Sequence, residues 1–477
     1  RTTARPARLL ACSCCCGGAD EFMEITRSSM ESLVPRRLML GSTLATPLLF
    51  QADAVQAHGV GVDVDNRAST VSPAPWPQNG GLPDYSQPGP FRTSRVERQK
   101  HTCSSCFQLC LANECMLRIN VTYPRNFLEG DAQHRPTFPL AIFSSGFLID
   151  SKQYVSYADR LASWGYVVLT YDKVENMASN RNDVVTACFI RELIDWASTS
   201  AALEPITDTS RVYLCGHSRG GKVSVLAAAS DPRVVSVCLI DPVDNTVYAP
   251  LGPGYPSALR SLASSAEQSK GGPSEQRFIR GGDARDSNAS LVGVGGDTPE
   301  IHQMSAESQL AEALEVKWRG SPIPLAVVGA AKGGDCAPVE SNYKRFFNAA
   351  PAPKWALEVE DAGHFQFVDS PSSIQRGVCT EGKSSYSDVQ NVALGVLVAW
   401  AELTVRRVCR SMCDDEISTA HLTSIGERVT LGSTLDEVDV MSEKELAMVH
   451  QILQHTSESV NREFGTRTRI NSQIELV

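Results

Sequence analysis

The chain has 477 residues, 42% of them hydrophobic and 21% charged, a balance that suits a globular fold with a sizeable core. Its formal net charge of −10 at pH 7 argues against nucleic acid as a partner, because phosphate binding needs a surplus of Lys and Arg. No uninterrupted apolar run reaches the ~20 residues of a membrane-spanning helix, so the processed chain is expected to be soluble or peripheral.

Residues 1–57 read as a targeting region. The chain opens on Arg1 rather than Met and is read as lacking its true start. Residues 1–19 hold Arg, Ala, Ser and Thr but no acid, as organelle transit peptides do. Pro35-Arg36-Arg37 then precedes the apolar stretch Leu38 to Phe50, which ends in the small residues Ala52, Ala54 and Ala57. A twin arginine, an apolar segment and small residues form a Tat-type signal. Together they predict a chloroplast protein, in the thylakoid lumen or associated with the thylakoid.

Residues 58–116 read as a loop-rich lead-in, since 66–100 are rich in Pro, Gly, Ser and Asn and show no period. Asp63 and Asp65 read as solvated turn residues. The chain has 15 cysteines, with one cluster at Cys12, Cys14, Cys15 and Cys16 and another at Cys103, Cys106, Cys110 and Cys115. The second spacing is not that of a standard zinc site, so disulfides or unpaired thiols are expected there and no metal.

From residue 117 the pattern changes. Short apolar runs bounded by turn residues occur at Leu117–Tyr123, Leu140–Phe143, Tyr166–Tyr171, Val212–Cys215, Val234–Ile240, Pro324–Val328 and Trp355–Val359, as in buried parallel strands. Between them lie helical stretches: Val184 to Ile194, the small-residue run Gly220–Ala229, and Asn391–Val405. Alternating strands and helices predict an α/β fold, a mainly parallel sheet covered on both faces, over residues 117–410. Residues 253–320, rich in Ser, Gly, Ala and charge, read as a flexible insertion before the penultimate strand. Residues 411–477 read as an appended helical tail, with capping-box spacings at Thr434/Glu437 and Ser442/Glu445.

The sharpest motif is Gly216-His217-Ser218-Arg219-Gly220-Gly221, between the strand Arg211–Cys215 and the helix Lys222–Ala229. Strand, G-x-S-x-G, helix is the context of a nucleophile elbow, and it points to the α/β-hydrolase fold. The flanking glycines let strand and helix approach, and the turn lifts the Ser218 hydroxyl into the cleft. A serine hydroxyl needs a base, which in this fold follows in the order Ser, acid, His. Of the histidines after Ser218, His302 falls in the insertion and His421, His450 and His455 in the tail. His364, in Asp361-Ala362-Gly363-His364-Phe365 just past a strand, is the candidate base. Two acids remain open: Asp241, ending the strand Val234–Ile240, and Asp335, after the next strand. Position in the fold slightly favours Asp335. An oxyanion needs two backbone N–H groups, for which Arg219 and Phe147 are the candidates.

At these residues the chain resembles the chlorophyllases. Gly216 to Lys222 is similar to that family's GHSRGGK motif, and Ile240-Asp241-Pro242-Val243 to its D-P-V segment. Cys336-Ala337-Pro338, Phe346-Phe347-Asn348, Asp361 to Phe365 and Cys379 to Lys383 are similar in order and spacing. The likeness spans about residues 117–405. It implies Ser218, Asp241 and His364 as catalytic residues, so Asp241 takes the acid's place over Asp335. It also implies hydrolysis of the phytyl ester of chlorophyll to chlorophyllide and phytol, without a cofactor, and peripheral contact with the thylakoid membrane. The insertion, the tail and Ser145, where relatives often carry His, depart from that pattern. The rival expectations are a general lipase or carboxylesterase, and a non-catalytic pigment- or lipid-binding relative.

Overall fold

A computed structural model of the chain describes residues 82–106, 110, 112–125, 137–174, 182–246, 250–252, 254–270, 322–408, 443–465 and 468–476. The targeting region, Asp63, Asp65, Cys12 to Cys16, His302, His421, Thr434 and Ser442 lie outside the described residues, as does the insertion from 271 to 320.

In chain order the elements are strands β1 (Thr93–Thr102), β2 (Met116–Pro124) and β3 (Phe138–Ser144), helix α1 (Val155–Ser163), β4 (Val167–Lys173), α2 (Asp183–Thr199), β5 (Thr207–His217), α3 (Arg219–Ser230) and β6 (Val234–Ile240). Then come α4 (Ala258–Lys270), β7 (Leu325–Ala330), α5 (Tyr343–Ala349), β8 (Lys354–Val359), α6 (Ser373–Val378), α7 (Tyr386–Thr404), α8 (Glu443–Phe464) and β9 (Ile470–Glu475). The strands form one sheet in the order β1-β2-β4-β3-β5-β6-β7-β8-β9. From β4 to β8 all pairings are parallel, whereas β1 and β2 at one edge and β9 at the other pair antiparallel.

Alternating side chains of each central strand feed two cores. On β5, Tyr213 and Cys215 pack with α1, α7 and α8, while Val212 and Leu214 pack with α2, α3, α4 and α5. Burial on both faces is why these strands are continuous apolar runs rather than alternating ones. α3 is small and apolar and fully buried over Val223–Ala229, so it lies close on the sheet. α7 starts at Ser385, whose side chain accepts the Asp388 N–H at 3.0 Å, a Ser cap that satisfies one orphan donor of the first turn.

Three expectations are corrected. The lead-in is not all loop, for its end forms β1 and pairs with β2 from Thr93↔Pro124 to Thr102↔Met116. The insertion is not all flexible, because its head is α4, whose Ala258 and Leu262 are buried in the second core. The tail is not an appendage. Val449, Ile452, Leu453, Val460 and Phe464 of α8 join the first core, and β9 extends the sheet, so the insertion precedes the third strand from the end. Apolar burial on α8 and largely polar edge strands thus carry the domain beyond the expected bounds 117–410.

Candidate active site

β5 ends at His217, and Ser218 turns the chain into α3 with φ 58° and ψ −126°. A non-glycine residue there is strained, and such strain persists only where surrounding bonds hold it. Ser218 N–H donates to the Ile240 carbonyl (2.9 Å), and its own carbonyl accepts from Gly221 (3.0 Å) and Val243 (3.2 Å). The turn is so tight that a Cβ on Gly216 would strike the Gly220 backbone, and one on Gly220 would strike the Ser144 carbonyl. Only glycine fits either place.

The structure brings Ser218, His364 and Asp241 together. His364 follows β8 at the start of a short 3-10 turn, His364–Phe367. Its Nε2 lies 2.9 Å from Ser218 Oγ, and its Nδ1 lies 2.7 Å from Asp241 Oδ2. The other oxygen, Asp241 Oδ1, accepts the Ala330 N–H at 3.0 Å. Asp241 is fully buried and, like Ser218, has a positive φ, 41°. Asp335 lies on the backbone turn Gly334–Cys336, its side chain outside the described set. The slight positional preference for Asp335 gives way to the hydrogen bond His364 makes with Asp241. His450 and His455 lie on α8.

The loop that carries His364 is tied down by residues that sequence reading missed. Gln366 Oε1 accepts from Gly363 N–H (2.7 Å) and Gly382 N–H (2.6 Å), while its amide donates to the Ser384 carbonyl (2.5 Å). Tyr157 O–H donates to the Phe367 carbonyl (2.7 Å), and Asp369 accepts from Ser156 N–H (2.9 Å). Burial raises the Asp369 carboxyl above its usual range, and the Ser156 bonds oppose that.

The loop after β3 lies against Ser218. A Cβ on Gly146 would stand 3.3 Å from Ser218 Cβ and 3.2 Å from His217 Nδ1, so the backbone at 146–147 borders the hydroxyl. Gly146 N–H is engaged by Tyr154 Oη at 3.3 Å. The Phe147 ring lies 5.9 Å from the Arg219 guanidinium, whose Nε donates to Asp183 Oδ1 at 2.6 Å. Asp183 Oδ2 meets Lys222 Nζ at 2.7 Å. One buried carboxylate on α2 therefore holds two cations of α3, and removing one member of such a network strands a buried charge.

The Cys103–Cys115 cluster holds two disulfides, Cys103–Cys106 and Cys110–Cys115. The free thiol of Cys188 sits 3.2 Å from Cys106 Sγ. A third disulfide, Cys336–Cys379, ties the loop after β7 to the end of α6. Free Cys215 and Cys238 are buried, which pushes both thiols up, Cys238 to about 12, and makes them inert core residues.

A hydroxyl on a tight bend, an imidazole within hydrogen-bond reach and a carboxylate orienting that imidazole can carry out nucleophilic acyl transfer. Residues 144–373 match the alpha/beta hydrolase family. The chain is also 23% identical to Chlorophyllase-1 of Arabidopsis thaliana over 292 residues, which cover 56% of this chain and 72% of the relative.

Proposed function

Because the chain is a chlorophyllase-like α/β-hydrolase, we propose that it is a serine esterase that removes the phytyl chain of chlorophyll, giving chlorophyllide and phytol. The observation that carries the reading is the 2.9 Å approach of His364 Nε2 to Ser218 Oγ on a strained elbow. His364 takes the Ser218 proton as Oγ attacks the ester carbonyl. Asp241 holds the imidazole in the tautomer that accepts this proton and stabilises the imidazolium. The tetrahedral oxyanion rests on the N–H groups of Arg219 and Phe147, since that of Gly146 serves Tyr154. The imidazolium then gives its proton to the leaving phytyl oxygen. Water, deprotonated by His364, frees the acid. The chemistry calls on no cofactor.

A long apolar ester is supported by the surface around the site. Among the described residues the exposed large hydrophobics are Val96, Leu148, Val174, Leu251, Val339, Ile374 and Val378. All but Val96 lie on segments that follow the C-terminal ends of parallel strands, the edge that carries Ser218, Asp241 and His364. The plastid address read in residues 1–57 and peripheral contact with a thylakoid lipid phase belong to the same proposal, which the plant origin of the relative supports.

The test is incubation of purified protein with chlorophyll a, followed by chromatography. Chlorophyllide is expected from the parent and none from Ser218→Ala. Cleavage of a short p-nitrophenyl ester without chlorophyllide would select the general esterase. An active-site serine that no fluorophosphonate labels would leave only a binding role.

A further inference from the structure

Behind the three site residues runs a chain of buried hydrogen bonds that the reaction does not itself use. Gly146 N–H reaches Tyr154 Oη at 3.3 Å, Tyr154 Oη reaches His217 Nδ1 at 2.7 Å, and His217 Nε2 reaches the His364 carbonyl at 3.0 Å. The ends dictate its direction. A backbone amide can only donate and a carbonyl can only accept. His217 must therefore carry its proton on Nε2 and accept the Tyr154 hydroxyl proton at Nδ1. An imidazolium would donate from both nitrogens and leave the Tyr154 hydroxyl proton without an acceptor.

The surroundings keep His217 neutral. It is fully buried, and the groups facing it are Tyr154 from the 3-10 turn before α1 and His364 and Phe367 from the loop after β8. Burial lowers its pKa well below 6.5, and the neighbouring His364 ring, 4.6 Å away, lowers it further.

We propose that His217 is a positioning residue that fixes the spacing between the oxyanion loop and the base, by bonding at one end to the His364 main chain and at the other, through Tyr154, to Gly146. The inference rests on the hydrolytic reading of Ser218, His364 and Asp241. The two halves of that site come from β3 and β8, which are not neighbours in the sheet. A displacement of about 1 Å between such halves is enough to cost ~100-fold in rate.

The test uses the full chain and a fluorophosphonate, following phosphonylation of the serine as kinact and KI. Tyr154→Phe, which removes one hydroxyl and keeps the ring, lowers kinact by ~10- to 100-fold with KI changed by less than about twofold. His217→Phe does the same. His217→Gln, whose amide can still donate to the His364 carbonyl, recovers most of the loss. In the parent the acid limb of kinact/KI is no steeper than unit slope against pH, because buried His217 takes up no proton there. A purely structural residue would move stability and leave kinact alone. Should His217→Phe fail to fold, Tyr154→Phe and His217→Gln still decide. Parental kinact in a folded Tyr154→Phe, an acid limb of slope two, or a folded His217→Gln as slow as Tyr154→Phe each overturns the inference. A Ser218→Ala protein labelled as fast as the parent would instead remove the hydrolytic reading beneath it.

Discussion

Ser218 and Asp241 stand one after the other along the sheet edge, at the ends of β5 and β6, and both carry positive φ, 58° and 41°. Each is held there by a backbone bond to the adjoining strand: Ser218 N–H to Ile240, and Asp241 N–H to Val328 at 2.6 Å. The strain aims both side chains at one imidazole. Asp241 then fixes which nitrogen of His364 faces Ser218, because a carboxylate can only accept. In Asp241→Asn the amide can donate to Nδ1, so the proton moves to Nε2 and the base is lost with the fold intact. The expected result is a drop in kcat of about a thousandfold or more at nearly unchanged circular dichroism. Retention within tenfold would show that Asp241 does not set the tautomer. Ser218 and His364 were legible in the sequence because each sits in a short local motif. Position alone left the acid open, since Asp241 and Asp335 both follow a strand of this edge, and it was the likeness of Ile240–Val243 to the chlorophyllases' D-P-V segment that pointed to Asp241. Tyr154 and His217 were hidden, for their bond joins residues 63 positions apart.

At the scale of elements, legibility followed burial. The central strands were readable because both faces are apolar, and Val234–Ile240 matches β6 residue for residue. β1 reads Thr-Ser-Arg-Val-Glu-Arg-Gln-Lys-His-Thr and β9 reads Ile-Asn-Ser-Gln-Ile-Glu, both edge strands facing solvent, whose polarity protects an open edge and erases the strand signal. The disulfide Cys336–Cys379 was likewise beyond spacing arguments, though each cysteine sits in a segment similar to the chlorophyllases. It closes a stretch of 43 positions that carries α5, β8, the His364 turn and α6. Closure of a loop of that length stabilises the fold by about 4 kcal/mol through the entropy it removes from the unfolded chain. The double substitution Cys336→Ala with Cys379→Ala is therefore expected to lower the urea midpoint strongly under non-reducing conditions. With reductant, parent and double variant should converge. A loss under ~1 kcal/mol would mean that the surrounding hydrogen bonds of Gln366 and Tyr157 already fix the loop.

The whole molecule places its chemistry and its exposed apolar side chains on one edge. Ile374 and Val378 lie one turn apart on α6 and are 78% and 62% exposed. α6 buries none of its residues and hangs on the loop that carries His364, tied by the disulfide at Cys379. Among the described residues no helix is long and apolar enough to cross a membrane, and Ile374 and Val378 would be the side chains to enter a lipid surface. Each side chain withdrawn from water would contribute up to ~1.5–3 kcal/mol, and a net charge of −10 makes an uncharged or zwitterionic surface the better partner than an anionic one. The paired change Ile374→Ser with Val378→Ser touches no group that handles the ester. It should leave the rate on a dissolved short-chain ester within about twofold, while the rate on a long-chain ester dispersed in phosphatidylcholine vesicles falls roughly 10- to 100-fold, each of the two exposed apolar anchors being worth up to about a decade in partition. Adding anionic lipid to those vesicles should lower the parent's rate and shrink the difference between the two proteins. If both proteins act equally on the vesicles, this edge does not meet the lipid, and the apolar ester must reach Ser218 as a single molecule from water.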